Sequence, residues 1–137
     1  MRKLWLLSLL FLVACSGQPA PKSEEIICTL AYRQSIEVGI ESEESFTLNA
    51  KETEKTVIFP DRLFHATYNL GEMDNEHNLR LWVTDLEDET TYHSTLYQLP
   101  QFDAVTNLFV GGHGFTGLHY SYAPNSPAEL QYWCVAN

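Results

Sequence analysis

The chain has 137 residues, 45% of them hydrophobic, with 8 Lys and Arg against 18 Asp and Glu and a formal charge of −10 with histidine neutral. That length suffices for one domain with its own core. The acidic balance argues against binding to nucleic acid or to anionic lipid, which need clustered Lys and Arg. It favours an unidentified cationic partner, protein or small ligand, or simply a well-solvated surface.

Arg2-Lys3 precede an apolar run from Leu4 to Leu12 broken only by Ser8, and Val13-Ala14-Cys15 follow. A basic start, a short hydrophobic stretch and small residues before a cleavage point are the parts of an export signal. The run is too short to span a bilayer, which takes about 20 apolar residues. Leu12-Val13-Ala14-Cys15 resembles the lipobox of bacterial lipoproteins. The resemblance implies cleavage after Ala14, acyl chains on Cys15 as the first mature residue, and residence in the bacterial cell envelope. Ser16 in place of Asp implies transfer to the outer membrane if the host is Gram-negative. The alternative is an ordinary secretory signal with an incidental cysteine. Loss of residues 1–14 removes Arg2 and Lys3 and takes the formal charge from −10 to −12.

Residues 15–25, small, polar and containing Pro19 and Pro21, read as a lipidated cysteine followed by a flexible tether. Ten residues beyond Cys15 reach roughly 30–35 Å when extended. Residues 26–137 form the domain. With Cys15 acylated, Cys28 and Cys134 remain, each in a strand-like stretch at one end of the domain and each sharing parity with apolar neighbours. A disulfide between them is expected, closing a loop that the chain-entropy model values at about 4–5 kcal/mol.

From Glu25 onward the hydrophobic period is two rather than 3.6. Ile36, Val38 and Ile40 alternate with polar or small residues, as do Phe46, Leu48 and Ala50. Thr56 to Phe59 is stopped by Pro60-Asp61. Phe64, Ala66, Tyr68 and Leu70 mark one face of the next strand, and a polar loop from Gly71 to Asn78 follows. Leu79, Leu81 and Val83 share a face; Thr91 to Leu99, Val105 to Val110, Phe115 to Tyr122 and Leu130 to Val135 complete the set. Eight to ten short strands with frequent turns predict an all-β antiparallel sandwich, with a small closed barrel as the alternative. Helical signals are weak, with one turn allowed between Pro100 and Thr106.

Motifs for catalysis are missing: no nucleophile elbow, no zinc-protease helix, no phosphate-binding or dinucleotide glycine pattern. The expectation is a non-enzyme without cofactor. The five histidines, His65, His77, His93, His113 and His119, contain no His-x-His pair, and His65 and His93 share parity with outward positions. No metal site is expected from them. The 71–78 loop carries oxygen donors at most positions and reads either as a weak Ca²⁺ loop or as a solvated hairpin.

Four of the seven glycines fall at 111, 112, 114 and 117, just before a strand with rings on both faces. Either this is a glycine hairpin feeding a half-covered strand, or it is a contact edge formed by His113, His119, Tyr120 and Tyr122. Three functions compete. The first is a lipid-anchored envelope protein whose β domain binds a partner or plays an accessory role. The second is an inhibitor: the plan is similar to that of lipid-anchored barrel proteins that block cationic lysozymes, although their Ser-Gly-x-x-Tyr motif is absent here. The third is a hydrolase using two of the many carboxylates.

Overall fold

A computed structural model describes residues 24–73, 76–99 and 102–137. The expected export signal, Cys15 and the expected tether up to residue 23 lie outside the described residues. Eight strands are formed: β1 (Ile26–Arg33), β2 (Ser42–Leu48), β3 (Glu54–Phe59), β4 (Arg62–Asn69), β5 (Asn78–Asp85), β6 (Thr91–Gln98), β7 (His119–Tyr122) and β8 (Glu129–Ala136). They make two four-stranded antiparallel sheets, β2-β1-β8-β7 and β3-β4-β5-β6. The sheets pack as a sandwich and do not close into a barrel. Two single 3₁₀ turns, Phe102–Ala104 and Val110–Gly112, lie in the connections.

The alternation of side chains builds the core directly. Phe64, Ala66 and Tyr68 of β4 and Leu79, Leu81 and Val83 of β5 turn inward against Ile26, Cys28 and Leu30 of β1 and Leu130, Tyr132 and Cys134 of β8. Full burial of each large side chain contributes about 1.5–3 kcal/mol before entropy is charged against it. Rings interlock across the layer: Phe64 meets Tyr132 edge-on at 5.0 Å and Tyr32 stacks on Phe59 at 5.2 Å. Pro60-Asp61 is the two-residue turn joining β3 to β4, since Phe59 pairs with Arg62.

Cys28 and Cys134 face each other in the β1–β8 ladder, their Cα atoms 4.1 Å apart, and are disulfide-bonded across 106 residues of sequence. The bond therefore joins the first strand to the last.

Several expected strands are not formed. Ile36, Val38 and Ile40 lie exposed in the β1–β2 connection, where Glu41 N–H donates to Tyr32 O (2.9 Å) and no neighbouring strand is available to pair. Period-two alternation marks a segment able to form a strand; a ladder partner is also needed. Ala50 falls beyond β2, in a turn where the Asn49 side chain accepts from the backbone N–H groups of Lys51 (2.8 Å) and Glu52 (3.1 Å). Residues 105–109 and 115–118 form no strand, and the four glycines between or within these stretches, Gly111, Gly112, Gly114 and Gly117, have positive φ, which takes the backbone out of the extended region.

Candidate functional site

The expected contact stretch divides between the outer and the inner face of the β2-β1-β8-β7 sheet. Tyr120 and Tyr122 stand on the outer face of the β2-β1-β8-β7 sheet and are 50% and 52% exposed. His113 is also outside, but half-buried, packed edge-on against Trp133 at 5.1 Å. His119, by contrast, turns inward: its ring stacks on Tyr132 at 5.1 Å and 10°.

Tyr122 does not wave freely. Its hydroxyl donates to Glu129 Oε2 (2.5 Å), and Glu129 is nearly fully buried at the start of β8. The same carboxylate accepts from Gln131 Nε2 (2.6 Å) and pairs with Arg33 Nη2 (2.7 Å). Arg33 in turn donates through Nη1 to Val38 O (3.4 Å), in the connection carrying Ile36, Val38 and Ile40. Burial alone would raise the Glu129 pKa; the donors Gln131, Tyr122 and Arg33 outweigh it and hold the carboxyl below its ordinary value. A charged knot thus fixes the orientation of Tyr122 relative to the 34–41 connection.

Inside, at the edge where β6 and β7 meet, lies a cluster the sequence did not reveal. His93 Nδ1 bonds the Tyr132 hydroxyl, Tyr97 Oη bonds His119 Nε2, and Tyr97 Oη also donates to Thr116 O (3.3 Å). His93 was expected to face water; its register partner is the fully buried Val83, so its side chain enters the sandwich instead. Burial pushes the Tyr97 hydroxyl up to about 12 and Tyr132 further still, and it lowers His119 below the usual imidazole value. His65 does lie on the outer face, half-buried, stacked on Trp82 at 4.9 Å and bonded to Thr56 Oγ1 (3.0 Å) and Thr84 Oγ1 (3.1 Å). His77 is buried against Tyr68, whose hydroxyl it meets at 2.8 Å.

Arg62 is the other surprise. It is fully buried at the start of the inward-facing row Arg62, Phe64, Ala66, Tyr68. It donates to Asp61 through Nε (2.8 Å) and Nη2 (2.7 Å), and crosses to the other sheet to reach Ser121 O (2.6 Å) and Ala128 O (3.0 Å). The shared parity with Phe64 was the signal available in the sequence.

Two concavities bear on ligand chemistry. A groove of about 480 Å³ on the outer face of the second sheet is lined by residues including Asn69, Asn78, Arg80 and Trp82; the Trp82 ring is flanked by His65 and by the Arg80 guanidinium at 4.8 Å. A second, of about 360 Å³, brings together Asp61, Asp85, Glu87, Tyr92 and Ser126. Hydrolysis by a carboxyl pair needs one member kept protonated. Asp61 and Asp85 are both held below the ordinary carboxylate value: burial raises Asp61 but bonds from Arg62, Ser126 and Tyr32 prevail, and Tyr92 with backbone amides lowers Asp85. Among the described residues no three His, Cys, Asp or Glu side chains converge to hold a metal ion, and no helix is long and apolar enough to cross a membrane. Compared with known families, curated proteins and solved structures, the chain has no significant match.

Proposed function

We propose that this is a lipid-anchored protein of the bacterial envelope whose β-sandwich binds a protein partner without catalysis, through the outer face of the β2-β1-β8-β7 sheet around Tyr120 and Tyr122. The observation that carries the reading is the half-exposure of two neighbouring outward tyrosines on a strand whose inner side chains are packed. Tyrosine offers a broad, stiff contact at low entropic cost, and the Glu129–Arg33 knot holds Tyr122 in advance of binding. Exposed Ile36, Val38 and Ile40 extend the apolar area at the same end, where Arg33 and Glu129 are register partners. Glu37, Glu41 and Glu43, all exposed, lie in or next to that connection. An apolar centre with an acidic rim suits a cationic partner. Cationic cell-wall hydrolases of the lysozyme type are one such class.

The test is site-specific photocrosslinking in the producing cell. A crosslinker at Tyr120 should yield a discrete adduct, and one at Ile58, exposed on the opposite sheet, should not. Equal adducts from both positions, or none from Tyr120, overturn the assignment of this face. Loss of the adduct at high salt supports a cationic partner.

A further inference from the structure

Leu108, Phe109 and Val110 are 79%, 53% and 89% exposed, three consecutive apolar side chains turned to water. Such runs are unusual on a soluble surface unless something covers them. The segment is also held in place. Phe109 N–H donates to Gly114 O (3.1 Å), and the Phe109 ring lies so near Gly117 that a Cβ there would stand 3.2 Å from it. Asn107, immediately before, clamps the end of β8: its Nδ2 donates to Ala136 O (2.8 Å) and its Oδ1 accepts from Ala136 N–H (2.9 Å).

That clamp fixes where the tip sits. Ala136 is the ladder partner of Ile26, and Asn137 N–H donates to Glu25 O (2.9 Å). The apolar tip therefore begins one residue beyond a side chain anchored at the end of the sandwich where the chain enters from the Cys15 side.

We infer that Leu108–Phe109–Val110 is a membrane-docking tip, which inserts into the interfacial layer of the bilayer that holds the Cys15 acyl chains and lays the domain against that surface. The inference rests on the lipid-anchor reading. A tether of ten residues, reaching at most roughly 30–35 Å, permits the domain to stand clear of the headgroups. The apolar tip at the entry end opposes that separation. Because the anchor already confines the domain near the bilayer, three side chains of weak intrinsic affinity suffice. Charge selects the kind of surface. Glu24, Glu25, Glu52, Glu72 and Glu76 stand in the chain entry and connections of this end, with Lys51 among them, so a zwitterionic headgroup layer is accepted and an anionic one repels.

The experiment uses mature lipidated protein in zwitterionic vesicles, with an NBD fluorophore on Val110→Cys. Cys28 and Cys134 are bonded to each other, and an acylated Cys15 has no free thiol, so the introduced cysteine is the reactive one. The expected result is a blue-shifted emission quenched several-fold more by lipids carrying nitroxide near the headgroup than the same probe at Ile36→Cys, at the opposite end. Quenching should be greatest about 5–10 Å below the surface, should weaken as anionic lipid is added, and should vanish when Leu108 and Phe109 are both changed to Ser. A water-like probe at position 110, in a preparation whose intact mass includes the acyl chains, overturns the docking inference and leaves the anchor standing. A mass without acyl chains overturns the anchor and the inference together.

Discussion

Replacing Arg62 by methionine keeps much of the side-chain volume and removes a charge that is fully buried between the two sheets. Two backbone acceptors, Ser121 O and Ala128 O, lose donors at 2.6 and 3.0 Å, and Asp61 loses both arms of a bidentate pair. Each orphaned buried acceptor costs about 1–3 kcal/mol. Asp61 recovers part of its loss, because its side chain is partly exposed and still accepts from Ser126 (2.8 Å) and Tyr32 (3.3 Å). The balance is a destabilisation of about 3–5 kcal/mol, the range for breaking a buried ion pair. That is a large share of the stability of a domain this size.

The assay is urea unfolding with the disulfide intact. With m near 1–3 kcal/mol per M, the midpoint should fall by at least about 1 M at unchanged m. Adding Asp61→Asn to Arg62→Met should cost less than the two single changes summed, because each single change strands the other partner. The pair also sets acid sensitivity. Asp61 has a folded pKa below its unfolded value, so its contribution is complete above about pH 4 and is lost as pH falls through the depressed folded value. In Arg62→Met that acid-side loss shrinks. A destabilisation under about 1 kcal/mol, with an unchanged acid limb, would refute the view that Arg62 holds the sheets together.

Reduction of Cys28–Cys134, or its replacement by two alanines, should cost about 4–5 kcal/mol in a urea melt, and a loss below about 1 kcal/mol would count against loop closure as its role. His119 is lowered by burial, which outweighs the raising hydrogen bond to Thr116 O, with a lesser lowering contribution from His93; its unfolded form binds protons more readily, so the stability is present above about pH 6.5 and is lost as pH falls below it. His119→Phe should flatten that part of the pH profile of the urea midpoint, and an unchanged slope would contradict the assignment. Tyr120→Ala should cost less than about 1 kcal/mol in a thermal melt, and Tyr122→Ala about 0.5–1.5 because Glu129 loses a donor; a loss near 3–5 kcal/mol for both would make the stretch core rather than contact surface. Gly114→Ala should destabilise more than any of these surface changes, since its Cβ would stand 2.0 Å from Cys134 O at φ +63.

The fold was largely legible because one physical rule, burial of every second side chain, governs most of it. Phe64-Ala66-Tyr68 and Leu79-Leu81-Val83 announce their faces without help, and the cysteine parity matches the ladder. The failures share a cause. Ile36-Val38-Ile40 has the pattern of a strand with no neighbour to pair with, and pairing is decided by topology, which a local pattern does not contain. His93 was misplaced for a related reason: the β5–β6 ladder shifts register between Val83 and Thr84, and a one-residue slip reverses every face beyond it. Arg62 was missed because a charged residue at an inward position reads as a strand end until its partners are known. The candidate site was half legible. Parity puts Tyr120 and Tyr122 on one face, and the structure makes that face the outer one, whereas the knot through Glu129 and Arg33 joins residues almost a hundred positions apart and leaves no local trace.

The early end of β7 connects these observations. β7 pairs with β8 only from Glu129 to Tyr132, so the rest of β8 would present bare backbone along an exposed edge. Side chains and single amides complete the edge instead. Thr116 Oγ1 accepts from Cys134 N–H (2.8 Å), Phe115 N–H donates to Cys134 O (3.1 Å), and Asn107 closes Ala136 with two bonds. Gly114 is required there because the loop runs so close to Cys134 O that no side chain fits between them. A regular strand would have satisfied the same groups, but its side chains would have alternated into the core and out again. Side-chain capping of β8 frees residues 108–110 from that alternation, and only a segment so freed can hold three successive apolar groups facing the same solvent.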